Sequence, residues 1–446
     1  MSRRLLLVLV LAAGVFVWRL GRPGFSDTEG MFAEPAREMV ETGDWVTPRM
    51  NGEPFLTKPP LAYWLAATVM AVRGPTEYAR LVPALAALGT VAVTGALGTV
   101  LFGEAAGLAA AVVLVTSAGF LVEARLLRAD MLLVLAITTA LWAAASVRRR
   151  PSLGMAMLFW VALGLGTLDK GLVALVIPVA ALALAVVVEG GAAVRALVAR
   201  LRAPLGLAVL AAIVVPWHLA AGRSRVGRGW LALPAGVAGA VAAAIALRDP
   251  DATIVALDAT FPGHGLESLL RPAAAAAAVG LGTIAVLLAR RSAWPALVAA
   301  TAAAVVVFGF AEIAHERLEP LFSWRPLART IRSSRPRDTA VFFRASDEYQ
   351  LCGGLDYYTG APVALLSPPG WTPPTFLAGR TDRLFTPRSE LERLWRGGHA
   401  VIVADDVAGP RDAAAIAPGP FAVLAQAGRR VVLEPAGAAA VTAQVR

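Results

Sequence analysis

Long apolar runs separated by short polar segments occupy most of the first 319 residues of this 446-residue chain. A helix that spans a membrane needs about 20 consecutive, mostly apolar residues. The pattern therefore predicts about ten spanning helices, rich in the small residues that allow close helix packing in lipid. The suitable runs lie near residues 5–19, 79–101, 105–122, 130–147, 153–167, 171–188, 205–221, 229–247, 272–289 and 293–314.

The segment between the first two runs, residues 20–78, has a different pattern. Its apolar stretch 61–72 is too short to span and predicts an interfacial helix. Pro35 is expected to kink or restart a helix in the preceding part. Four charged residues of that part stand at helical spacings of three and four, which predicts a solvated, self-paired face: Glu34, Arg37, Glu38 and Glu41.

Residues 320–446 contain short β-branched runs separated by turn residues. The segment 387–395 predicts a helix with Ser389 as its N-cap. Strands are predicted within 339–345, 361–366, 399–406 and 430–435. The predicted architecture is thus an all-α polytopic membrane bundle over residues 1–319, followed by a small C-terminal soluble α/β domain over residues 320–446.

Composition agrees with a membrane protein, because 57% of the residues are hydrophobic and only 16% are charged, against about a quarter in soluble domains. The net charge of +10 comes from arginines between apolar runs, where they set orientation and meet anionic lipids, so we expect no nucleic-acid partner. Cys352 is the only cysteine, which excludes an internal disulfide and a thiolate metal cage. The first run is interpreted as an uncleaved span.

Basic residues predict the orientation of the bundle in the plasma membrane. Arg3 and Arg4, the triplet 148–150, and the arginines within 195–202 fall on one side if every run crosses once, and this side is the cytoplasm by the positive-inside rule. Residues 20–78 then lie outside. Ten spans would return the C-terminal domain to the cytoplasm.

Three residues of the 20–78 segment have chemical potential. Asp27 and Glu29 follow the first run directly, and an acid at a membrane boundary is costly unless it is paired or used. Lys58 precedes two prolines that stiffen the backbone, so its ammonium suits a lipid phosphate. The alternative for Lys58 is a snorkelling anchor.

Several segments together resemble the family-39 glycosyltransferases, which include the aminoarabinose transferases that modify lipid A and, more distantly, the protein O-mannosyltransferases. The resemblance is dense over residues 25–85, fair to about residue 220, and poor from there to residue 320. The segments that carry it are "AEPAREMVETGDWVTPRMNGEPFLTKPPLAYWL" and "EYARLVPAL" in the first part, then "RLLRADMLL" (125–133), "GLGTLDKGLVALVIP" (164–178) and "VVPWHL" (214–219).

The resemblance implies a GT-C fold with its active site at the outer face, and it places the C-terminal domain outside. Such enzymes take a sugar from a polyprenyl-phosphate carrier and transfer it, with inversion, to a hydroxyl of a lipid, glycan or protein. A base must take the acceptor's proton, and cations must hold the departing phosphate. Asp27 or Glu29 is the expected base, and Asp130 is a second candidate unless it merely pairs with a neighbouring arginine. The expected phosphate-binding cations are Lys58, Arg125, Arg128 and Lys170.

The chain departs from the family pattern at three positions. Thr28 stands where relatives often have an aspartate, Met31 where they have an arginine, and Thr57 where an acid often precedes the Lys-Pro pair. The residues therefore leave the need for a divalent metal open, and no other cofactor is expected. They also favour, as the alternative function, a catalytically degenerate relative that binds carrier lipid or scaffolds glycan assembly.

Overall fold

The computed structural model describes residues 2–222, 293–344, 349–367, 385–407 and 409–437, with further helical positions at 272, 276, 279 and 283. The predicted span 229–247 and most of the predicted span 272–289 lie outside the described residues.

The described secondary structure is mainly helical before residue 335 and mixed after it. The helices are α1 (Arg3–Val17), α2 (Asp27–Thr42), α3 (Leu61–Arg73), α4 (Leu81–Phe102), α5 (Glu104–Thr116), α6 (Ala118–Glu123), α7 (Asp130–Arg149), α8 (Leu153–Lys170), α9 (Val173–Glu189), α10 (Gly191–Arg200), α11 (Ala203–Gly222), α12 (Ala293–Phe322), α13 (Arg325–Ser334), α14 (Gly353–Thr359), α15 (Arg388–Arg396) and α16 (Pro410–Ile416). The strands are β1 (Arg49–Met50), β2 (Glu53–Pro54), β3 (Ala340–Arg344), β4 (Ala364–Leu365), β5 (Ala400–Ala404), β6 (Phe421–Ala427) and β7 (Arg430–Pro435).

The chain divides into two compact units, and the first comprises Met1–Leu20 and Pro83–Leu318. Its described elements are helices, and α7 packs on α8 across a short connection. Small residues line much of this contact, which lets the two backbones approach closely. The buried residues of the α7–α8 region are Ala140, Ala143, Val147, Ala156, Phe159, Ala162, Leu163 and Leu201.

Four helical segments among the described residues are long and apolar enough to cross a membrane. By length and composition, these are Glu77–Phe102, Asp130–Arg149, Leu153–Lys170 and Ala203–Ala221. Leu61–Arg73 is apolar but shorter, as the sequence predicts for the stretch 61–72. Helices α1, α4, α7, α8, α9, α11 and α12 overlap predicted apolar runs, whereas the predicted span 105–122 is wrong as a single helix, because the structure divides it into the short helices α5 and α6. The predicted fold class, a polytopic helical bundle with a small C-terminal sheet region, is confirmed.

The second compact unit comprises Gly21–Val82 and Glu319–Arg446. It contains a five-stranded sheet of order β4-β3-β5-β7-β6. Strands β4, β3 and β5 are parallel, whereas β7 and β6 join antiparallel at one edge. The unit therefore has mixed α/β character, as predicted for residues 320–446.

Side chains of the central strands alternate between two buried layers, because successive residues of a strand point to opposite faces. Val401 and Val403 of β5 face the layer that contains Trp324 of the chain before α13. Ile402 faces the layer that contains Trp395 of α15. Both faces of the sheet are thus covered, which explains why β5 is apolar at every position.

The predicted domain boundary differs from the division into compact units. Residues 20–78 were expected to belong to the membrane domain, but the structure groups residues 21–82 with the C-terminal sheet. Met50 and Phe55 are buried in the same cluster as Trp324. The Asn51 amide also exchanges hydrogen bonds with the backbone of Val363, at 2.5 and 2.9 Å. The long acidic loop is therefore part of a discontinuous unit.

Helix α2 runs unbroken through Pro35, so the expected restart of the helix at this residue is wrong. The helix packs on both α3 and α14, and these contacts offset the hydrogen bond that proline cannot donate. Its approach to α14 is very close, because a Cβ on Gly30 would lie 2.4 Å from the backbone nitrogen of Gly354. Only glycine fits at this contact.

The structure corrects one local prediction in the C-terminal part and adds one strand that was not predicted. Pro387, and not Ser389, precedes the first residue of α15, and this helix end has no side-chain cap. Strand β6 was not predicted, because the segment "FAVLAQA" lacks the β-branched character of its neighbours. It forms as the edge partner of β7, through a hairpin turn at Gly428 and Arg429.

Candidate active site

The first turn of α2 carries two acids in different environments. Asp27 and Glu29 both lie at the helix N-terminus, where the helix dipole favours negative charge. The backbone N–H and the hydroxyl of Ser26 donate to Glu29 Oε2 at 2.9 and 3.0 Å. This capping box fixes where α2 begins and therefore fixes both acids.

Glu29 forms a fully buried ion pair with Arg80. Arg80 Nε donates to Oε1 at 2.7 Å, and Nη2 donates to Oε2 at 2.8 Å. The same guanidinium donates to the carbonyls of Pro23 (2.6 Å) and Gly24 (2.9 Å). Glu29 thus links the preceding segment to α2. These contacts favour a structural task, and its role as a base stays a prediction.

Asp27 has one engaged and one unengaged carboxylate oxygen. Oδ2 accepts a hydrogen bond from Arg430 Nη2, whereas Oδ1 is buried without a hydrogen-bond partner in the described part of the chain. Burial raises the pKa of Asp27 to about 6; the Arg430 cation opposes this rise, and Asp405 adds to it. A carboxylate with this pKa is largely ionised at neutral pH and can still accept a proton.

Lys58 is half-buried between exposed Thr57 and buried Pro59, at the entrance to α3. Tyr63, in the first turn of α3, is buried and packs on Phe32 of α2 with ring centroids 5.5 Å apart. The reason is that α3 packs this face against α2.

The charged face of α2 is paired but not solvated. Arg37 donates to Glu34 at 2.8 Å and also pairs with Glu41, as predicted. Glu34 is nevertheless only 1% exposed and Glu38 only 8%, because α14 covers this face, so the expected solvation is wrong for both. Burial raises the pKa of Glu34 to about 7, with Arg37 opposing the rise.

A buried carboxyl of α14, Asp356, was not predicted from the sequence. It accepts hydrogen bonds from the backbone N–H of Val363 at 3.1 Å and from the Cys352 thiol at 3.5 Å. Burial raises its pKa well above the ordinary range, and the charge of Glu34 raises it further. The two buried acids make the α2–α14 contact sensitive to protonation.

Arg125, in the first compact unit, is buried and engaged. Its Nη1 donates to the carbonyls of Val15 and Phe16 at 3.0 and 2.9 Å, and its Nη2 donates to Glu312 at 2.7 Å. An arginine at the last carbonyls of α1 satisfies groups that a helix end leaves open. These contacts favour a structural role, and phosphate binding by Arg125 stays a prediction.

Asp130, Arg128 and Lys170 are brought together where α7 begins and α8 ends. Lys170 Nζ donates to Asp130 Oδ1, and Arg128 Nε lies 3.8 Å from Oδ2. Arg128 also pairs with Glu123. The Lys170 and Arg128 side chains are 25% and 28% exposed, so both cations remain accessible to a ligand. The pairing alternative weighed for Asp130 is thus observed, with Lys170 as a partner.

Sequence reasoning missed two residues that hold predicted site residues. Glu312 pairs with Arg125, and an acid inside the apolar run 293–314 was itself a signal. Arg430 pairs with Asp27 across 403 positions, and no local pattern could have indicated it. Within the described residues, no group of three or more His, Cys, Asp or Glu side chains is placed to hold a metal ion.

The segment 57–219 matches the family model described as dolichyl-phosphate-mannose-protein mannosyltransferase. An undecaprenyl phosphate-alpha-4-amino-4-deoxy-L-arabinose arabinosyl transferase from Aeromonas hydrophila is 30% identical over 218 residues, which are 45% of this chain and 37% of the relative. The corresponding transferase from Serratia proteamaculans is 27% identical over 237 residues, 49% and 40% of the two chains. The chain thus spans about two fifths of the length of these curated relatives.

Solved structures of ArnT from Cupriavidus metallidurans share the fold. The apo structure has a TM-score of 0.73 at 22% identity, and the matched residues cover 96% of this chain and 97% of the ArnT chain. The structure bound to undecaprenyl phosphate has a TM-score of 0.77 at 19% identity and covers 98% of each chain. The predicted resemblance is confirmed: this multi-pass membrane protein has a GT-C-type fold and resembles the lipid A aminoarabinose transferases and the mannosyltransferase family.

Proposed function

We propose that the chain is a membrane glycosyltransferase that moves a sugar from a polyprenyl-phosphate carrier to a hydroxyl group of a lipid or glycan, or of a protein. The names of the curated relatives and the carrier bound to ArnT support this class of donor. The basic segments of the sequence support a reaction at the outer face of the plasma membrane.

The observation that carries the proposal is the state of Asp27. A general base works best when its pKa lies near the working pH, and the pKa of Asp27 is about 6 because the carboxyl is buried. Its Oδ1 has no hydrogen-bond partner in the described residues. Glu29, by contrast, has both oxygens bonded to Arg80. We therefore assign the base to Asp27 in preference to Glu29.

In the proposed step, the acceptor hydroxyl oxygen bonds to the anomeric carbon as the bond from that carbon to the phosphate oxygen breaks. The hydroxyl proton passes to Asp27, and polyprenyl phosphate leaves as the anion. Attack from the side opposite the leaving group inverts the anomeric centre. The phosphate gains negative charge as it departs, so nearby cations lower the barrier.

Lys170 and Arg128 are the cations that we assign to the phosphate in the first compact unit. Both share Asp130 as a partner, and a bound phosphate would compete with that carboxylate for them. Arginine and lysine differ in this role, because only arginine offers a planar fork to two phosphate oxygens. Lys58, in the second compact unit, is assigned to a lipid phosphate from the sequence alone.

The test uses the purified full-length chain in detergent with undecaprenyl-phosphate aminoarabinose, then other polyprenyl-phosphate sugars, and lipid A as acceptor, with products identified by mass spectrometry. Asp27→Asn should lower turnover by about a hundredfold or more, which is typical for loss of a general base, and should still bind polyprenyl phosphate. Lys170→Met should weaken that binding. The matched control is Glu41→Gln, on the same helix at an exposed ion pair, and it should keep full activity.

Wild-type turnover by Asp27→Asn would remove Asp27 from the mechanism. Binding of polyprenyl phosphate by the wild type without turnover of any donor would instead support the alternative function, a degenerate relative that binds carrier lipid. Thr28 and Thr57 are the residues that favour this alternative, since they replace acids of the family pattern.

A further inference from the structure

The partner of Asp27 comes from the far end of the chain. Arg430 is the first residue of β7 and directly follows a two-residue hairpin turn, with Ala427 as its partner across the hairpin. Gly428 takes φ +58 in that turn, and a Cβ there would lie 2.9 Å from Leu321. The turn therefore needs glycine, and it fixes the position at which β7 begins with Arg430.

The guanidinium of Arg430 is also fixed by what lies beneath it. Its central carbon lies 4.2 Å from the centroid of the Trp324 ring, a cation–π contact. Trp324 is fully buried and meets Phe343 edge to face at 5.5 Å. The Arg430 side chain is only 9% exposed. Such a side chain is held in one orientation before any ligand binds.

The ion pair leaves one atom of each partner unused. Asp27 Oδ1 and Arg430 Nη1 are both buried without a hydrogen-bond partner among the described residues. Each is bonded to the same carbon as an atom of the ion pair, so both unused atoms belong to the same buried pair of side chains. Buried polar groups in folded proteins are nearly always satisfied, so each exception needs an explanation, and a catalytic role is one of them.

We propose that Arg430 is a positioning residue for sugar transfer: it orients the carboxylate of Asp27 so that Oδ2 is engaged and Oδ1 faces the acceptor. This inference rests on the proposed function. It gives the C-terminal sheet a part in the chemistry, because the reacting carboxylate of α2 is held by a residue of β7.

Arg430 has a second effect on Asp27 through its charge. The charged groups that act on Asp27 are Arg430 from β7 and Asp405, which follows β5. Burial and Asp405 raise the pKa of Asp27, and Arg430 lowers it. Without the Arg430 cation only the raising influences remain, so the carboxylate would hold its proton to higher pH.

The test is the pH profile of kcat/KM for sugar transfer, measured on the full-length protein for the wild type and three variants. Arg430→Gln removes the charge and should move the acidic limb of the profile upward by about one pH unit or more. A shift of one unit from pKa 6 lowers the rate about threefold at pH 6.5. The part of the loss that comes from protonation of Asp27 should be recovered near pH 9, and the loss that comes from the missing fork should remain. Arg430→Lys keeps the charge but not the fork, so it should lower kcat about tenfold with the limb and KM little changed. Arg429→Gln, at the exposed neighbour that pairs with Asp406, is the control and should match the wild type.

An unmoved acidic limb in folded Arg430→Gln protein would overturn the inference and leave the proposed function intact. If Arg430→Gln does not fold, Arg430→Lys decides, because wild-type kcat in that variant would show that the fork does not position Asp27. Absence of transfer by the wild type at every pH would overturn the proposed function, and the role of Arg430 with it.

Discussion

Replacing Glu29 by glutamine tests whether the two acids of the α2 N-terminus have different tasks. Glutamine keeps the capping box, because its amide oxygen can accept the same bond from Ser26. It removes the negative charge from the buried pair and leaves the Arg80 cation without its counter-charge. The cost is therefore confined to one interaction.

The expected magnitude follows from the burial of both partners. Removing one partner of a buried ion pair typically costs about 3–5 kcal/mol. Arg80 keeps its bonds to the carbonyls of Pro23 and Gly24, so we expect the lower end, about 3 kcal/mol. At about 2–4 °C per kcal/mol for a cooperative unit of this size, the midpoint of unfolding should fall by about 6–12 °C.

The assay is thermal unfolding in detergent, followed by tryptophan fluorescence at one heating rate. The double variant Glu29→Gln with Arg80→Met should be less destabilised than the sum of the single variants by at least about 1 kcal/mol, since it leaves no unpaired charge. Glu41→Gln, whose side chain is 54% exposed, should stay within about 2 °C of the wild type. Below its unfolding transition, Glu29→Gln should transfer sugar, whereas Asp27→Asn should be folded and inactive.

Two outcomes would refute this reasoning about Glu29. A midpoint within about 2 °C of the wild type would mean that the Glu29–Arg80 pair does not stabilise the unit. A fully folded Glu29→Gln protein as inactive as Asp27→Asn would mean that Glu29, despite its burial, takes part in the chemistry.

Two further predictions concern the contact between α2 and α14. Gly30→Ala should lower the unfolding midpoint, because its Cβ would lie 2.4 Å from the nitrogen of Gly354; Gly14→Ala, a helical site with nothing within 4 Å, should not lower it, and equal behaviour of the two would contradict the packing argument. The wild type should unfold at a lower temperature at pH 8 than at pH 5: the folded-state pKa of Glu34 is raised to about 7 from 4.5, so its favourable contribution is complete below the ordinary value and is lost as pH rises through 7. Glu34→Gln should reduce the difference between the unfolding midpoints at pH 5 and pH 8. An unchanged difference would mean that Glu34 does not cause the pH dependence.

Most of the fold could be predicted because its signals are local. A spanning helix is a run of apolar residues, and seven of the described helices, among them the long α4, α7 and α8, overlap predicted runs. The strands β3, β5 and β7 were equally visible as short β-branched segments. The assignment of residues 21–82 to the C-terminal unit was not predictable, since it depends on contacts such as Asn51 with Val363 that are 312 positions apart.

The residues of the candidate site could be predicted from the sequence, but the different roles of these residues could not. The first loop offered Asp27 and Glu29 two positions apart with no local difference between them. Their partners distinguish them: Arg80 occupies both oxygens of Glu29, whereas Arg430 occupies one oxygen of Asp27. Arg80 and Arg430 lie 51 and 403 positions away, beyond the reach of any spacing rule.

The discontinuous unit gives a physical reason for this arrangement of the chain. An acid next to the bilayer must be neutralised or buried with a counter-charge, and α2 presents five acids on a short amphipathic helix. The partners of these acids come from three sources: the helix itself through Arg37, the residues before α4 through Arg80, and the C-terminal sheet through Arg430. Arg37 pairs with Glu34 and Arg80 pairs with Glu29, so neither of these acids depends on an ionic partner from the C-terminal sheet. Asp27 alone of these three depends on the sheet, so a change that displaces β7 should affect the reactive carboxylate before it affects the others.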